Sequence, residues 1–291
     1  MVLLVEAPNE LAKWKYAAAL EAREAGEKEK AYELLEQARQ RSAHNLEYKQ
    51  VLAEWKHEDR EYAEALAIVQ ELCEIFTDNT DLIGFRSRLY QHLQRHPEAI
   101  ADLQKIMQIS EATGQPERAL SLNNLAYGQA IAKTDLDAAF EHSNEAVKLA
   151  EADLASAANQ LKRAQEKKKD VLESEAAVAN KRFTVAGHLD TRGLVRLYRD
   201  EAADAQSDFD QAISLAEQTL KFSRAFEKEP RNQQRPKAGA SLRQKQVDET
   251  LAVLYYHRSL NLQKLGREDE AKRDFAKAKE LLGREPDETL F

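Results

Sequence analysis

Three alanines, Ala31, Ala65 and Ala99, stand 34 residues apart, and no other feature constrains this chain so tightly. Each is followed four residues later by Leu35, Val69 or Leu103, and three residues after that by Ala38, Leu72 or Ile106. An apolar stripe at i, i+4 and i+7 is one face of a helix, and a period of about 34 residues with a small-residue slot describes a helix–turn–helix unit stacked on copies of itself. Such units bury their apolar faces against neighbours, so the chain grows as a stack rather than around one core. At 291 residues it also exceeds the usual reach of one core. Nine Gly and six Pro leave long uninterrupted helical stretches, and no stretch alternates as a strand does. The fold class expected is all-α.

Within each unit the first helix needs a small residue where the second crosses it. Units at about 12–45, 46–79 and 80–113 supply Ala19, Ala53 and Ser87 for that crossing, and Gly26 for the first turn. The register slips after Gly114–Arg118. A fourth unit, 119–153, carries Leu122, Leu125 and Ala126, then Ala139, Ser143, Ala146 and Leu149, one residue late. A fifth, 186–219, reads Gly193, Ala205, Phe209 and Ala212; a sixth, 252–285, reads Ser259, Ala271, Phe275 and Ala278 before Pro286.

Gly193-Ala205-Phe209-Ala212 and Ser259-Ala271-Phe275-Ala278, with Gly26 and Gly266 in the turns, resemble the tetratricopeptide repeat family over about 205 of the 291 residues. The resemblance implies a right-handed α-α superhelical solenoid of about six helix pairs. Arg86, Arg192 and Arg258 depart from it, standing where the family commonly has leucine. It also implies a groove lined by the first helices that receives a peptide or partner domain. The matching positions are Tyr16, Leu20 and Arg23; Gln50, Glu54 and His57; Arg88 and Gln91; Asn123 and Tyr127; Asp190 and Leu194; and Tyr256, Leu260 and Gln263. Side chains with amide or aromatic tips suit recognition of peptide N–H and C=O groups. The paired Lys and Asn of a carboxylate clamp are not reproduced; only Asn123-Asn124 hints at one.

Two stretches of 32 residues, 154–185 and 220–251, belong to no unit. No Gly or Pro occurs from Gln129 to Ala186, and Ala150, Leu154, Ala157, Leu161, Ala164, Val171 and Val178 fall on heptad positions spoiled at Lys168 and Glu175. That pattern predicts a helix running well past unit four, with a narrow coiled-coil seam over 150–178 through which copies could associate. Around Pro230, Pro236 and Gly239 the second stretch reads instead as a helical hairpin with a loop. The two stretches carry a net charge of +7 and the remainder −15. This segregation suits a solvated helix, docking on the acidic scaffold, or an acidic partner met by Arg231, Arg235 and Lys237.

The function expected is a non-enzymatic protein-interaction scaffold. A docking or regulatory module of a larger multidomain protein is the alternative. Nucleic-acid binding would have to use the basic insertions, because the groove-bearing units are acidic. Neither a phosphate loop nor H-E-x-x-H or G-x-S-x-G occurs, so catalytic residues, cofactors and metals are expected to be none. His92 and His96 share a helix face at i, i+4 but lack a third ligand nearby. Trp14 and Trp55 are expected to pack. Cys73 alone cannot form an internal disulfide and falls on an apolar helix face, which fits a reducing, cytoplasmic setting. No apolar run reaches the roughly 18 residues that span a bilayer, and the N-terminus lacks a basic signal region.

Overall fold

Apolar residues at helical spacing, broken by short polar turns, become twelve helices among the residues that the computed structural model describes, 3–113, 118–168, 171–228 and 244–286. They are α1 (Leu3–Glu24), α2 (Lys28–Arg41), α3 (Leu46–Glu58), α4 (Tyr62–Ile75), α5 (Thr80–His92), α6 (His96–Thr113), α7 (Arg118–Ala132), α8 (Leu136–Glu166), α9 (Leu172–Tyr198), α10 (Ala202–Lys228), α11 (Gln244–Lys264) and α12 (Glu268–Leu282). Odd-numbered helices open each pair and even-numbered ones close it. The chain forms two compact units, residues 1–109 and 110–291, with the division falling inside α6.

The 34-residue period is written into the turns. Gly26, Arg60 and Gln94 each end a first helix in the left-handed conformation, with φ of 78°, 63° and 57°. In each case the following residue donates its N–H to the carbonyl five positions back, Glu27 to Ala22, Glu61 to Lys56 and Arg95 to Tyr90, the closure of a Schellman turn. Asp200 and Gly266 repeat the device at φ 66° and 73°. Only two of these five positions hold the glycine that the conformation favours. Asn45 and Asn79, again 34 apart, cap α3 and α5 by accepting N–H groups of the first turn. The slip in unit four has a local cause: both Lys133 (φ 51°) and Asp135 (φ 49°) are left-handed, and this longer turn delays Ala139 by one residue.

Packing follows the small-residue slots. Ala19, Ala53, Ser87, Ala126 and Ser259 are all at most 1% exposed at the crossings, and Gly193 is buried. The tightest crossing is Gly193, where a Cβ would lie 2.8 Å from the Phe209 ring. Phe209 is therefore fully buried, whereas Phe275, opposite the larger Ser259, stays partly exposed.

The three arginines that break the repeat pattern are each answered by an aspartate 16 residues on. Arg86 grips Asp102 at 2.8 and 2.6 Å, Arg192 grips Asp208 at 3.0 and 2.6 Å, and Arg258 grips Asp274 at 2.6 and 3.0 Å. Each is a two-pronged guanidinium–carboxylate pair tying the first helix of a unit to the second. Counted from the turn, the same positions in units one and two hold Ala18 with Leu34 and Leu52 with Ile68. One site in the repeat thus alternates between an apolar contact and an ion pair.

The insertions take forms of their own. Residues 154–185 are not a single helix: α8 ends at Glu166, Lys168 turns at φ 50°, and α9 starts at Leu172 and packs back along α8. Glu166, Lys167 and Lys168 are charged and exposed, and the chain turns at Lys168. The expected 150–178 seam is consequently divided between two antiparallel helices, and Ala150, Ala157 and Val178 are buried within the chain itself. Lys181 pairs with Asp153 across the hairpin at 2.6 Å. In the second insertion, α10 and α11 both overrun their units; Pro230, Pro236 and Gly239, on which the hairpin reading rests, lie outside the described residues.

Trp55 is buried as expected, but Trp14 is 72% exposed on α1. Cys73 is buried, and burial pushes its thiol pKa up, away from the reactive thiolate. No described helix is long and apolar enough to cross a membrane.

Candidate interaction face

The expected groove residues occupy three rungs of each first helix, ten, six and three residues before the left-handed turn, and the structure sorts them by unit. In unit 1, α1, α3 and α5 lie side by side, and Gln50, Glu54 and Arg88 are exposed. Gln50 donates only to Glu54 on its own helix, at 3.0 Å. Tyr16, His57 and Gln91 are half-buried around them. The Tyr16 hydroxyl reaches Glu47 at 3.3 Å; burial first, and then Glu47, push it up to about 12, so it stays a protonated donor.

Arg23 is spent inside the fold. Its two terminal nitrogens hold Asp59 at 3.0 Å each, one of them also reaches Glu58 at 2.9 Å, and its guanidinium lies 5.3 Å from the Trp55 ring. Burial alone would raise the Asp59 carboxyl, but hydrogen bonds from Arg23, Tyr32 and Lys28 outweigh it and hold the group at about 2. This is a clamp between α1 and α3 rather than a free recognition side chain.

Beside Arg88 sits a ring cluster that sequence reading did not anticipate. His57 and His92, on neighbouring first helices, bring their Nε2 atoms to 3.4 Å. Tyr62 stacks on His92 at 4.2 Å and 4°, and Phe85 meets His57 edge-on. Burial lowers both imidazoles; His92 falls to about 4, helped by His57, Arg88 and Arg60. Both rings are therefore neutral near pH 7 and present one donor or acceptor each. The near-period spacing of His57 and His92 was the available sequence signal, but only the packing of adjacent units turns it into a contact. His92 ends α5 and His96 opens α6, so the two do not share one helix face, contrary to expectation, and among the described residues no three His, Cys, Asp or Glu side chains gather as metal ligands.

In unit 2 the same rungs are sunk. Asp190 is 6% exposed, its two carboxylate oxygens 2.9 and 2.8 Å from Nδ1 of His257, itself 2% exposed. The expectation of an open groove position at Asp190 is thus corrected by a buried partner on the next first helix. Tyr256 (8% exposed) and Leu194 (fully buried) are core-like as well. Asn123 and Tyr127 are half-buried; burial, then Asp190, raise the Tyr127 hydroxyl pKa well above its ordinary value. Only Gln263 is open to solvent on these rungs. Arg231, Arg235 and Lys237 lie outside the described residues.

No protein-family model matches the sequence, and no curated protein does. Solved structures do. A tetratricopeptide repeat protein from Parabacteroides merdae ATCC 43184 superposes with a TM-score of 0.50 at 15% identity, over 94% of this chain and 93% of that one. BtubC from P. vanneervenii gives 0.48 at 15% identity over 97% and 94% of the two chains. A putative kinesin light chain with nearly identical TPR-like repeats, from Podosopora anserina, gives 0.45 at 14% over 82% and 95%. At such identities the likeness concerns the fold alone, and the likeness to the first of these structures, with the turns and slots described above, establishes this chain as an all-α helical-repeat protein of tetratricopeptide-like fold.

Proposed function

We propose that the chain is a protein-interaction scaffold whose first-helix face in unit 1 binds an extended segment of a partner protein. The supporting observation is the contrast between rungs: Gln50, Glu54 and Arg88 remain exposed on adjacent helices, while the equivalent Asp190, Leu194 and Tyr256 are spent in packing. Amide, carboxylate and guanidinium tips on neighbouring helices suit a strand of peptide, pairing with its N–H and C=O groups and with one charge of either sign. Neutral His57 and His92, and the protonated Tyr16 further along the face, would add hydrogen bonds without adding charge. Recognition of this kind needs no bond-making chemistry from the chain, so the reading is a non-enzymatic one.

The test is a displayed random-peptide library selected on the intact protein, with hits re-measured on Glu54→Ala and Arg88→Ala. Both side chains are exposed, so neither change should unfold the protein. Selected peptides should lose at least about tenfold in affinity on one or both variants, the scale expected when a well-placed charged contact is removed. Peptides that bind parent and variants alike would place the binding face elsewhere.

A further inference from the structure

A concavity in unit 2 lies away from the first-helix rungs, between α10, α11 and α12. It encloses about 570 Å³ and is lined by Glu217, Leu220, Lys221, Arg224, Ala225, Leu251, Tyr255, Lys277 and Leu281. That volume is within the range of about 300–1,000 Å³ typical of ligand-sized sites. Its floor is aliphatic: Leu220 and Leu251 are buried and Leu281 half-buried. Its rim is cationic. Lys221 is exposed and has no ion pair among the described residues, and the side chain of Arg224 is 51% exposed, with Asp248 as far as 3.8 Å away. Lys277 completes the rim, held 2.9 Å from the exposed Glu280. Among the described lining residues Glu217 is the one carboxylate, and it accepts the Tyr255 hydroxyl at 2.7 Å.

We propose that this groove is a second binding site, for an acidic peptide segment bearing Leu- or Phe-like side chains. Charge complementarity selects the acidic character, and the leucine floor selects apolar side chains between the acids. A nucleic acid fits less well. It carries a charge at every residue and would meet Glu217, and it offers no aliphatic group to the floor; the Tyr255 ring, lying under Arg258 at 5.5 Å, is no free stacking platform. A peptide with discrete carboxylates can place them on Lys221 and Arg224 and turn its apolar residues inward. The site shares no residue with the unit 1 face, so the two proposals stand or fall separately.

The probe is a short fluorescein-labelled peptide of alternating Glu, Leu and Phe, titrated by polarisation against the full chain. Controls are the same peptide with Lys for Glu, one with Ser for Leu and Phe, and a labelled oligothymidylate. The acidic, apolar peptide alone should bind, weakening as salt rises, and Lys221→Glu with Arg224→Glu should reduce its affinity by at least about tenfold. Both residues are exposed, so an unchanged melting curve shows the fold intact, and Glu54→Ala should leave this binding untouched. Three results would each overturn the proposal: no binding of the peptide, binding undiminished by the charge reversal, or oligothymidylate binding that depends on Lys221 and Arg224 in its place.

Discussion

Asp208 is the residue whose loss should cost this fold most. Its side chain is 3% exposed and receives three charged hydrogen bonds, at 3.0 and 2.6 Å from Arg192 and 2.6 Å from Arg196. The two arginine side chains are only 19% and 20% exposed. Asp208→Ala strands both guanidiniums against α10, with only the Asn144 side chain (3.3 Å from Arg192) and the Asp204 carbonyl (3.4 Å from Arg196) in reach. Removing one partner of a buried ion pair typically costs about 3–5 kcal/mol. For a unit of this size that corresponds to a fall in melting temperature of roughly 6–20 °C.

The same argument predicts a rescue. Replacing both partners, Arg192→Leu with Asp208→Ile, copies the apolar solution that unit two uses at Leu52 and Ile68, and should restore all but about 1–2 kcal/mol. What is left over belongs to Arg196, which loses Asp208 and keeps the Asp204 carbonyl at 3.4 Å. Asp102 and Asp274, with side chains 9% and 11% exposed and one gripping arginine each, should cost less when removed than Asp208. Urea unfolding followed by helical circular dichroism measures all of these. Trp14 and Trp55 both lie in unit 1, so tryptophan fluorescence serves as an internal control that an Asp208 variant should move less. A loss below about 1 kcal/mol for Asp208→Ala, or a double variant no better than the single, would show that the pair is not the structural tie inferred here.

Three further outcomes follow from local geometry. Gly193→Ala puts a Cβ 2.8 Å from the Phe209 ring and should destabilise by about 1–2 kcal/mol despite alanine's better helix propensity, with Phe209→Leu relieving part of the loss; a thermal melt showing Gly193→Ala to be stabilised would contradict this. Arg60→Gly and Gln94→Gly, at left-handed turns that now carry side chains, should each gain roughly 0.5–1 kcal/mol in urea titrations. His92 and His188 are both held near 4 chiefly by burial, so the unfolded chain takes up protons first. Stability should be full above about pH 6.5 and decline towards pH 4, by of order 1–2 kcal/mol for the part-exposed His92, and His92→Gln should flatten that slope; Asp59 adds a separate loss only between about pH 3.8 and 2.

The scaffold was readable because its constraint is local and repeated. A small residue must stand at each crossing, and a chain with Ala19, Ala53, Ser87, Ala126, Gly193 and Ser259 at those places declares them. What stayed hidden needs two helices at once. Arg86, Arg192 and Arg258 read as defects in a repeat until Asp102, Asp208 and Asp274 are seen facing them. The pattern at 150–178 predicts a helix running well past unit four, and α8 does run on to Glu166, yet helical propensity does not say where a helix should stop. α8 stops where Glu166, Lys167 and Lys168 offer no apolar side chain to bury, and the chain gains more by folding Val178 back into the core than by extending into water. The candidate face divided along the same line. Gln50, Glu54 and Arg88 lie where the repeat register puts them, whereas Asp190 is withdrawn by His257, a residue 67 positions away that no single-helix pattern connects to it.

The alternation of ion pairs with apolar contacts bears on how such a chain avoids misassembly. Stacked units of similar length and pattern can pair with the wrong neighbour, and partly folded repeats share apolar faces that do not discriminate. A buried Arg–Asp pair adds little net stability over an apolar contact of the same volume, since desolvation offsets its attraction. It does discriminate. If α5 were to pack on α4 as its second helix, Arg86 would meet Ile68 instead of Asp102 and lose its counterion, at a cost of several kcal/mol. If α10 met a first helix bearing leucine at this position, Asp208 would be stranded in the same way. The pairs in units three, five and six thus label those helices against units one, two and four. Mispairing of these helices would therefore cost more than mispairing of helices that carry the apolar contact.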